Sequence, residues 1–188
     1  LSDALILGLL SEGANVQDLG ILTTPGIASI ARDMNNFCCV VTASHNPAQD
    51  NGIKVFDVGG KKIQEDIEQK LEDKITELLE NDLDVKYEKP QIDLELSGMG
   101  SAMYVSTLHR KSGVDSLDGL NIVLDCANGA SHAVAPAVFK MFGVHVAEIN
   151  TESDGVNINN NCGATHLDQL ISKVQEIGAD IGFAFDGD

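Results

Sequence analysis

Apolar positions along the 188-residue chain fall into two series, each alternating short apolar runs with stretches of helical spacing. In the first, Leu5, Leu9 and Leu10 make one face of a helix over 2–13, with Ser2 placed to cap it and Gly13 to end it. Residues 16–19 read as a short strand. Thr23, Thr24 and Pro25 open a helix that runs to about Asn35, proline suiting the first turn. The run 37–41 is too short for a helix and rich in residues that suit a buried strand. Residues 52–56 make another strand, returning beside it as a hairpin-like pair. Ile67, Leu71, Ile75, Leu78 and Leu79 recur at helical spacing among carboxylates and lysines, so 64–81 predicts a long surface helix. Residues 82–96, with Pro90, break that pattern and read as an irregular connection.

A helix over 99–111, a candidate hinge, leads into the second series. There 120–125, 144–149 and 180–185 read as strands, and 131–142 and 168–177 as helices closed by Gly143 and Gly178. Such alternation predicts a mostly parallel sheet with helices on both faces. The expected fold class is α/β, with two three-layer α/β/α domains, 1–97 and 98–188, whose sheets are mixed and mostly parallel.

Composition narrows the partners more than the fold. Apolar residues are 43% of the chain, ample for two cores, whereas 12 Lys+Arg against 29 Asp+Glu give a net charge of −17. So acidic a chain argues against nucleic-acid and anionic-membrane partners, which call for clustered basic residues. Any phosphate chemistry then needs positive charge from a metal or from elsewhere. No run approaches the roughly 20 apolar residues of a membrane span, and no basic segment with an apolar signal core opens the chain. The expected compartment is the cytoplasm. Cys38, Cys39, Cys126 and Cys162 lack C-x-x-C spacing and read as core thiols.

The candidate chemistry lies in three polar loops at the C-terminal ends of predicted strands, where α/β sheets handle ligands. Thr42-Ala43-Ser44-His45-Asn46-Pro47 follows the run 37–41. Pro47 lacks an N–H and drives Asn46 out of the helical region, so Ser44 is presented on a turn. A hydroxyl held there beside the His45 imidazole can carry a phosphoryl or acyl group. The same residues also suit a plain turn, with Ser44 as a cap and His45 as a hydrogen-bonded loop histidine. Asp186-Gly187-Asp188 offers two carboxylates that can both face a cation such as Mg²⁺, although Asp-Gly is also an ordinary turn former. In the third loop, 125–129, Asn128 and Gly129 read as shaping the backbone. Lys54, on the returning strand, is placed to stabilise negative charge near Ser44 or simply to be solvated. Gly59-Gly60-Lys61-Lys62 lacks the spacing of a P-loop, and Gly98-Met99-Gly100 that of a dinucleotide fingerprint.

T-A-S-H-N-P at 42–47, D-N-G-I-K-V-F at 50–56, L-D-C-A-N-G-A at 124–130 and F-A-F-D-G-D at 183–188 together resemble the α-D-phosphohexomutases. D-G-V-N-I-N at 154–159 and N-C-G-A-T-H at 161–166 look most like that family's bacterial phosphoglucosamine mutase branch rather than its phosphomannomutase/phosphoglucomutase branch. The resemblance covers essentially the whole chain. It implies an intramolecular phosphotransferase that interconverts glucosamine 6-phosphate and glucosamine 1-phosphate through a bisphosphate. Ser44 would be the phosphoserine, with His45 and Lys54 beside it, and Mg²⁺ would be held by Ser44, Asp186 and Asp188. Further sequence on both sides is also implied, so both domains are expected to be truncated and the piece alone inactive. The partner would be a phosphosugar; a homodimer of the full-length enzyme stays open. Three other readings stand beside this one: a phosphomannomutase/phosphoglucomutase of the same family, an aspartyl-phosphate phosphatase with Asp186 as nucleophile, and a non-catalytic phosphosugar-binding module with Ser44 unmodified.

Overall fold

The computed structural model describes residues 1–81 and 98–188, so the connection read at 82–96 lies outside the described residues. The first unit runs α1 (Ser2–Ser11), α2 (Thr24–Met34), β1 (Cys38–Thr42), β2 (Gly52–Phe56) and α3 (Glu65–Glu80). α2 starts where its residues require. The Thr23 hydroxyl accepts the Gly26 N–H at 3.3 Å, Pro25 sits in the first turn, and Asn35 closes the helix in the left-handed conformation. β1 and β2 pair antiparallel, setting Cys38 opposite Phe56 and Val40 opposite Lys54. Ile27 and Ile30 of α2 pack with Val40 and Phe56, so the inward face of this pair is held by α2.

One of two expectations for this unit changes. Residues 16–19 form no strand: among the described residues β1 pairs only with β2, so this segment has no ladder to join. Its apolar pattern serves packing instead, Leu19 lying in the core with Leu22 and Ile27. α3 is the long surface helix expected: none of its residues is buried, and Ile67, Leu71 and Ile75 are exposed. Pairs such as Lys70–Asp66 and Lys74–Glu77 support it along its surface, each by a few tenths of a kcal/mol.

The second unit follows α4 (Gly100–Ser112) with β3 (Asn121–Asp125), a 3-10 turn at Ala130–His132, α5 (Ala135–Met141), β4 (His145–Ile149), α6 (Asp168–Ile177) and β5 (Ile181–Ala184). Its sheet is wholly parallel in the order β4-β3-β5. From the central β3 the chain goes out to β4 through α5 and crosses back to β5 through α6. Right-handed crossovers to opposite sides put the two helices on opposite faces. Side chains bear this out. Ile122 and Leu124 pack with Ala135 and Phe142 around α5, and Phe183 stacks on Phe139. On the other face, a Cβ added to Gly182 would run into Val174 and Leu170 of α6. Burial on both faces is why 122–124 is an unbroken apolar run.

The continuous helix expected over 131–142 is broken in two. Proline cannot donate an N–H and its ring clashes with the carbonyl four residues back, so the chain makes a 3-10 turn and restarts with Pro136 in the first turn of α5. α4 packs against both α2 and α5, its Val105 sharing a core with Leu22, Ile30 and Val134. The two units therefore meet through apolar contact. Among the described residues no helix is long and apolar enough to cross a membrane.

Asp125, at the end of β3, is completely buried yet fully partnered. Oδ1 accepts the Ala127 N–H at 3.0 Å and Asn150 Nδ2 at 3.1 Å, and Oδ2 accepts the Gly163 N–H at 2.9 Å. One carboxylate thereby pins three loops at the sheet's C-terminal edge. The Phe185 N–H, donated to the Asp125 carbonyl at 2.9 Å, carries that rigidity into the stretch leading to Asp186. Cys126 beside it is fully buried, and burial pushes its thiol up to about 11, which keeps it protonated and inert as a core residue.

Candidate active site

The C-terminal ends of β1 and β5 face each other, and Ser44 and Asp188 meet there. Asn46 N–H donates to the Ala43 carbonyl at 3.0 Å, closing a β-turn in which Ser44 holds the second position with φ +55. A non-glycine residue in that region carries roughly 1–2 kcal/mol of strain. The Ser44 N–H donates to Thr42 Oγ1 at 2.9 Å, and Asp50 N–H to the Pro47 carbonyl at 2.9 Å, so the loop is stiffened on either side of the serine.

Asp188 gathers the rest. Its Oδ1 accepts Ser44 Oγ–H at 3.3 Å; its Oδ2 accepts Thr24 Oγ1–H at 2.9 Å, Thr42 Oγ1–H at 3.4 Å and the Lys54 ammonium. The Lys54–Asp188 pair is shielded, with the Asp188 side chain 14% exposed and Lys54 34% exposed. Burial acts to raise the Asp188 carboxyl, but hydrogen bonds from Lys54 and Thr24 outweigh it and leave the group below the ordinary carboxylate range. Asp186 stays on its own loop, where its Oδ1 accepts the Asp188 N–H at 3.1 Å. Gly187 lets that loop close on the serine: a Cβ there would lie 2.7 Å from the Ser44 carbonyl oxygen.

Of the residues singled out in the sequence, the fold brings together Ser44, Lys54 and Asp188, keeps Asp186 next to them, and leaves His45 exposed and without a hydrogen bond among the described residues. Three further residues belong to the cluster and were not singled out. Thr24 is at the first position of α2; since Thr23 already caps that helix, a second hydroxyl there was a spare, and that was the available signal. Thr42 was seen only as the start of the turn motif. Asn159, whose side chain reaches the Ser44 and Asn46 carbonyls, lies in an asparagine-rich run that suits turns anyway.

Among the described residues no group of three or more His, Cys, Asp and Glu is gathered to hold an ion. The donors present, two carboxylates and one hydroxyl, are nevertheless all hard oxygens, and Lys54 shows that the spot beside Asp188 accepts positive charge. They fit a Mg²⁺-like cation as part of its ligand set. A cavity of about 640 Å³ reaches this cluster at Thr42, Gly187 and Asp188 and extends away from it along a mixed lining that includes Ile6, Leu9, Val16 and Val40.

Comparison with known proteins agrees with this layout. Residues 1–82 match the description "Phosphoglucomutase/phosphomannomutase, alpha/beta/alpha domain I", and residues 102–188 match domain II of the same series. Phosphoglucosamine mutases from Campylobacter jejuni, Rhizobium meliloti and Nautilia profundicola are 40%, 41% and 42% identical over all of this chain. The chain spans 43%, 42% and 42% of those proteins, less than half of their length. A phosphoglucomutase/phosphomannomutase family protein from Burkholderia thailandensis superposes with a TM-score of 0.69 at 29% identity, over 94% of this chain and 39% of that one. An Aspergillus fumigatus N-acetylphosphoglucosamine mutase, solved with GlcNAc-6P and magnesium, has a TM-score of 0.51 at 17% identity over 92% of this chain and 49% of its own, a likeness of fold alone. With the domain I and domain II descriptions matched in order and together taking up nearly all of its residues, the chain belongs to the phosphoglucomutase/phosphomannomutase family, the α-D-phosphohexomutases.

Proposed function

We propose that the full-length protein is a phosphosugar mutase acting on glucosamine phosphates, with Ser44 as the residue that carries the phosphoryl group and with domains divided at 97/98. One observation supports this most: Ser44, Lys54 and Asp188, separated by up to 144 residues, converge at the ends of two strands in a phosphohexomutase fold. The relatives named phosphoglucosamine mutase support the choice of sugar. The protein is assigned to the cytoplasm.

In the first half-reaction the bond between phosphorus and Ser44 Oγ breaks as a sugar hydroxyl oxygen bonds to that phosphorus and gives up its proton. The second half-reaction returns the other phosphoryl group of the bisphosphate to Ser44. Lys54 stabilises the charge that develops on the leaving Oγ. Thr24 and Thr42, now donating to Asp188, are the hydroxyls that would donate to phosphoryl oxygens on Ser44. To His45, exposed next to Ser44, we assign the exchange of the hydroxyl proton. A phosphoserine carries roughly −1.5 to −2 charges and repels Asp186 and Asp188 unless a cation stands between them. Bound to Asp186, Asp188 and the phosphoserine, Mg²⁺ would neutralise that charge and support a dissociative transfer.

Purified full-length protein, never exposed to phosphatase, is expected to carry one phosphoryl group on Ser44 and to show its highest kcat/KM with glucosamine phosphate among the glucosamine, glucose and mannose phosphates. Label on Asp186 would favour the phosphatase reading, and an unmodified Ser44 with no turnover would leave a binding module.

A further inference from the structure

Asn159 reaches across from the second unit to the serine turn. Its Nδ2 donates to the Ser44 carbonyl at 2.8 Å and to the Asn46 carbonyl at 3.0 Å. Both partners are acceptors, so only the amide nitrogen can serve them, and a carboxylate in its place would face two carbonyl oxygens. Asn159 is itself anchored. Its N–H donates to the Ala127 carbonyl at 2.9 Å, and its φ of +58 is one that asparagine tolerates better than most residues. Ala127 in turn donates its N–H to buried Asp125. Beside this contact runs Gly187, where an added Cβ would lie 3.0 Å from Asn159 Nδ2 and 2.7 Å from the Ser44 carbonyl oxygen.

Resting on the phosphoserine reading above, we infer that Asn159 is a positioning residue: an amide clamp that holds Ser44 in its left-handed conformation and so aims its Oγ at Asp188. The first unit holds the serine turn through the Ser44 N–H on Thr42 and the Asn46 N–H on Ala43, but among the described residues the donor to the Ser44 carbonyl itself comes from the second unit. The carbonyl side is fixed from the second unit. Relaxing φ at Ser44 turns its carbonyl away from Asn159 and its hydroxyl away from Asp188 together. A strained backbone persists only where its surroundings over-determine it, and the clamp supplies the missing constraint. Ser44 is therefore fully aimed only while the two units are seated on each other.

The test uses the full-length enzyme with Asn159→Ala, Asn159→Asp and Asn159→Gln. A clamp predicts that kcat falls about 10- to 100-fold in Asn159→Ala with KM changed by less than about threefold, as for a misaimed reacting group. Asn159→Asp, equal in size but without the donors, is expected to do as badly or worse, and Asn159→Gln, which keeps the amide, to recover part of the rate. Amide hydrogen exchange of residues 43–46 should quicken in the Ala and Asp variants and not in Gln. A packing role gives the opposite order, with Asp close to wild type and Ala poor, and that order overturns the inference, as does an unchanged kcat in Asn159→Ala. If Asn159→Ala folds poorly, Asn159→Asp against Asn159→Gln decides. Wild type without a Ser44 phosphoryl group would refute the phosphoserine reading instead, and the exchange rates of 43–46 would then judge the clamp alone.

Discussion

Ser44→Ala is expected to lower the turnover of the full-length enzyme by more than about 10⁴-fold, the scale seen when a covalent nucleophile is removed. The fold should survive, because the lost hydroxyl makes a single 3.3 Å contact, with Asp188, and the turn is held by backbone groups that alanine retains. Circular dichroism and the thermal unfolding midpoint should match wild type while steady-state assays show no rate above background. A residual kcat within tenfold of wild type would reduce Ser44 to a turn residue. Lys54 and Asp188 would then be a shielded ion pair, which by itself is a poor source of stability.

Gly129→Ala is expected to have the second-largest effect, at a residue that takes no part in the chemistry. A Cβ on Gly129 would lie 2.3 Å from the Gly187 carbonyl oxygen and 2.6 Å from Gly187 Cα, both backbone atoms with no flexible side chain to yield. The same stretch is tied by the Ala130 N–H to the Gly187 carbonyl at 3.0 Å. Residues 186–188 must then shift by roughly 1 Å, a displacement that costs about 10²-fold in rate when reacting groups are misplaced. Overpacking of this kind also destabilises by about 1–3 kcal/mol. Gly59→Ala is the control, since the new methyl would meet only the Asp57 carboxylate, at 3.1 Å. A Gly129→Ala kcat within threefold of wild type would show that the 186–188 loop does not need its present seat against the 129–130 turn.

The strands of the second unit were legible because burial on both faces leaves an apolar run that polar turns interrupt, as at 122–124. α6 was legible to the residue, with Gly178 in the left-handed conformation that ends it. The break at Pro136 was missed because helical spacing of apolar residues continues across it, so periodicity outvoted the proline. The strand read at 16–19 failed for the opposite reason, since a ladder depends on a neighbour that local sequence does not reveal. In the site, Ser44, Asp186 and Asp188 stood out because turn residues follow strands there. What no local pattern holds is their meeting with Lys54, Thr24 and Asn159 across 115 to 164 residues of chain. A hydroxyl at a helix start and an amide in an asparagine-rich loop are ordinary until tertiary structure gives them a carboxylate or a carbonyl to serve.

A phosphorylated Ser44 is expected to stand against a divalent cation held by Asp186 and Asp188. Mn²⁺ shares the oxygen preference of Mg²⁺ and is paramagnetic, so the most direct measurement is ³¹P NMR of the phosphorylated full-length enzyme as Mn²⁺ is added. The phosphoserine resonance is expected to broaden beyond detection at stoichiometric Mn²⁺ in the wild type and to stay sharp in Asp188→Asn. A phosphoserine signal that remains narrow in the wild type with Mn²⁺ bound would place the metal elsewhere and contradict the account.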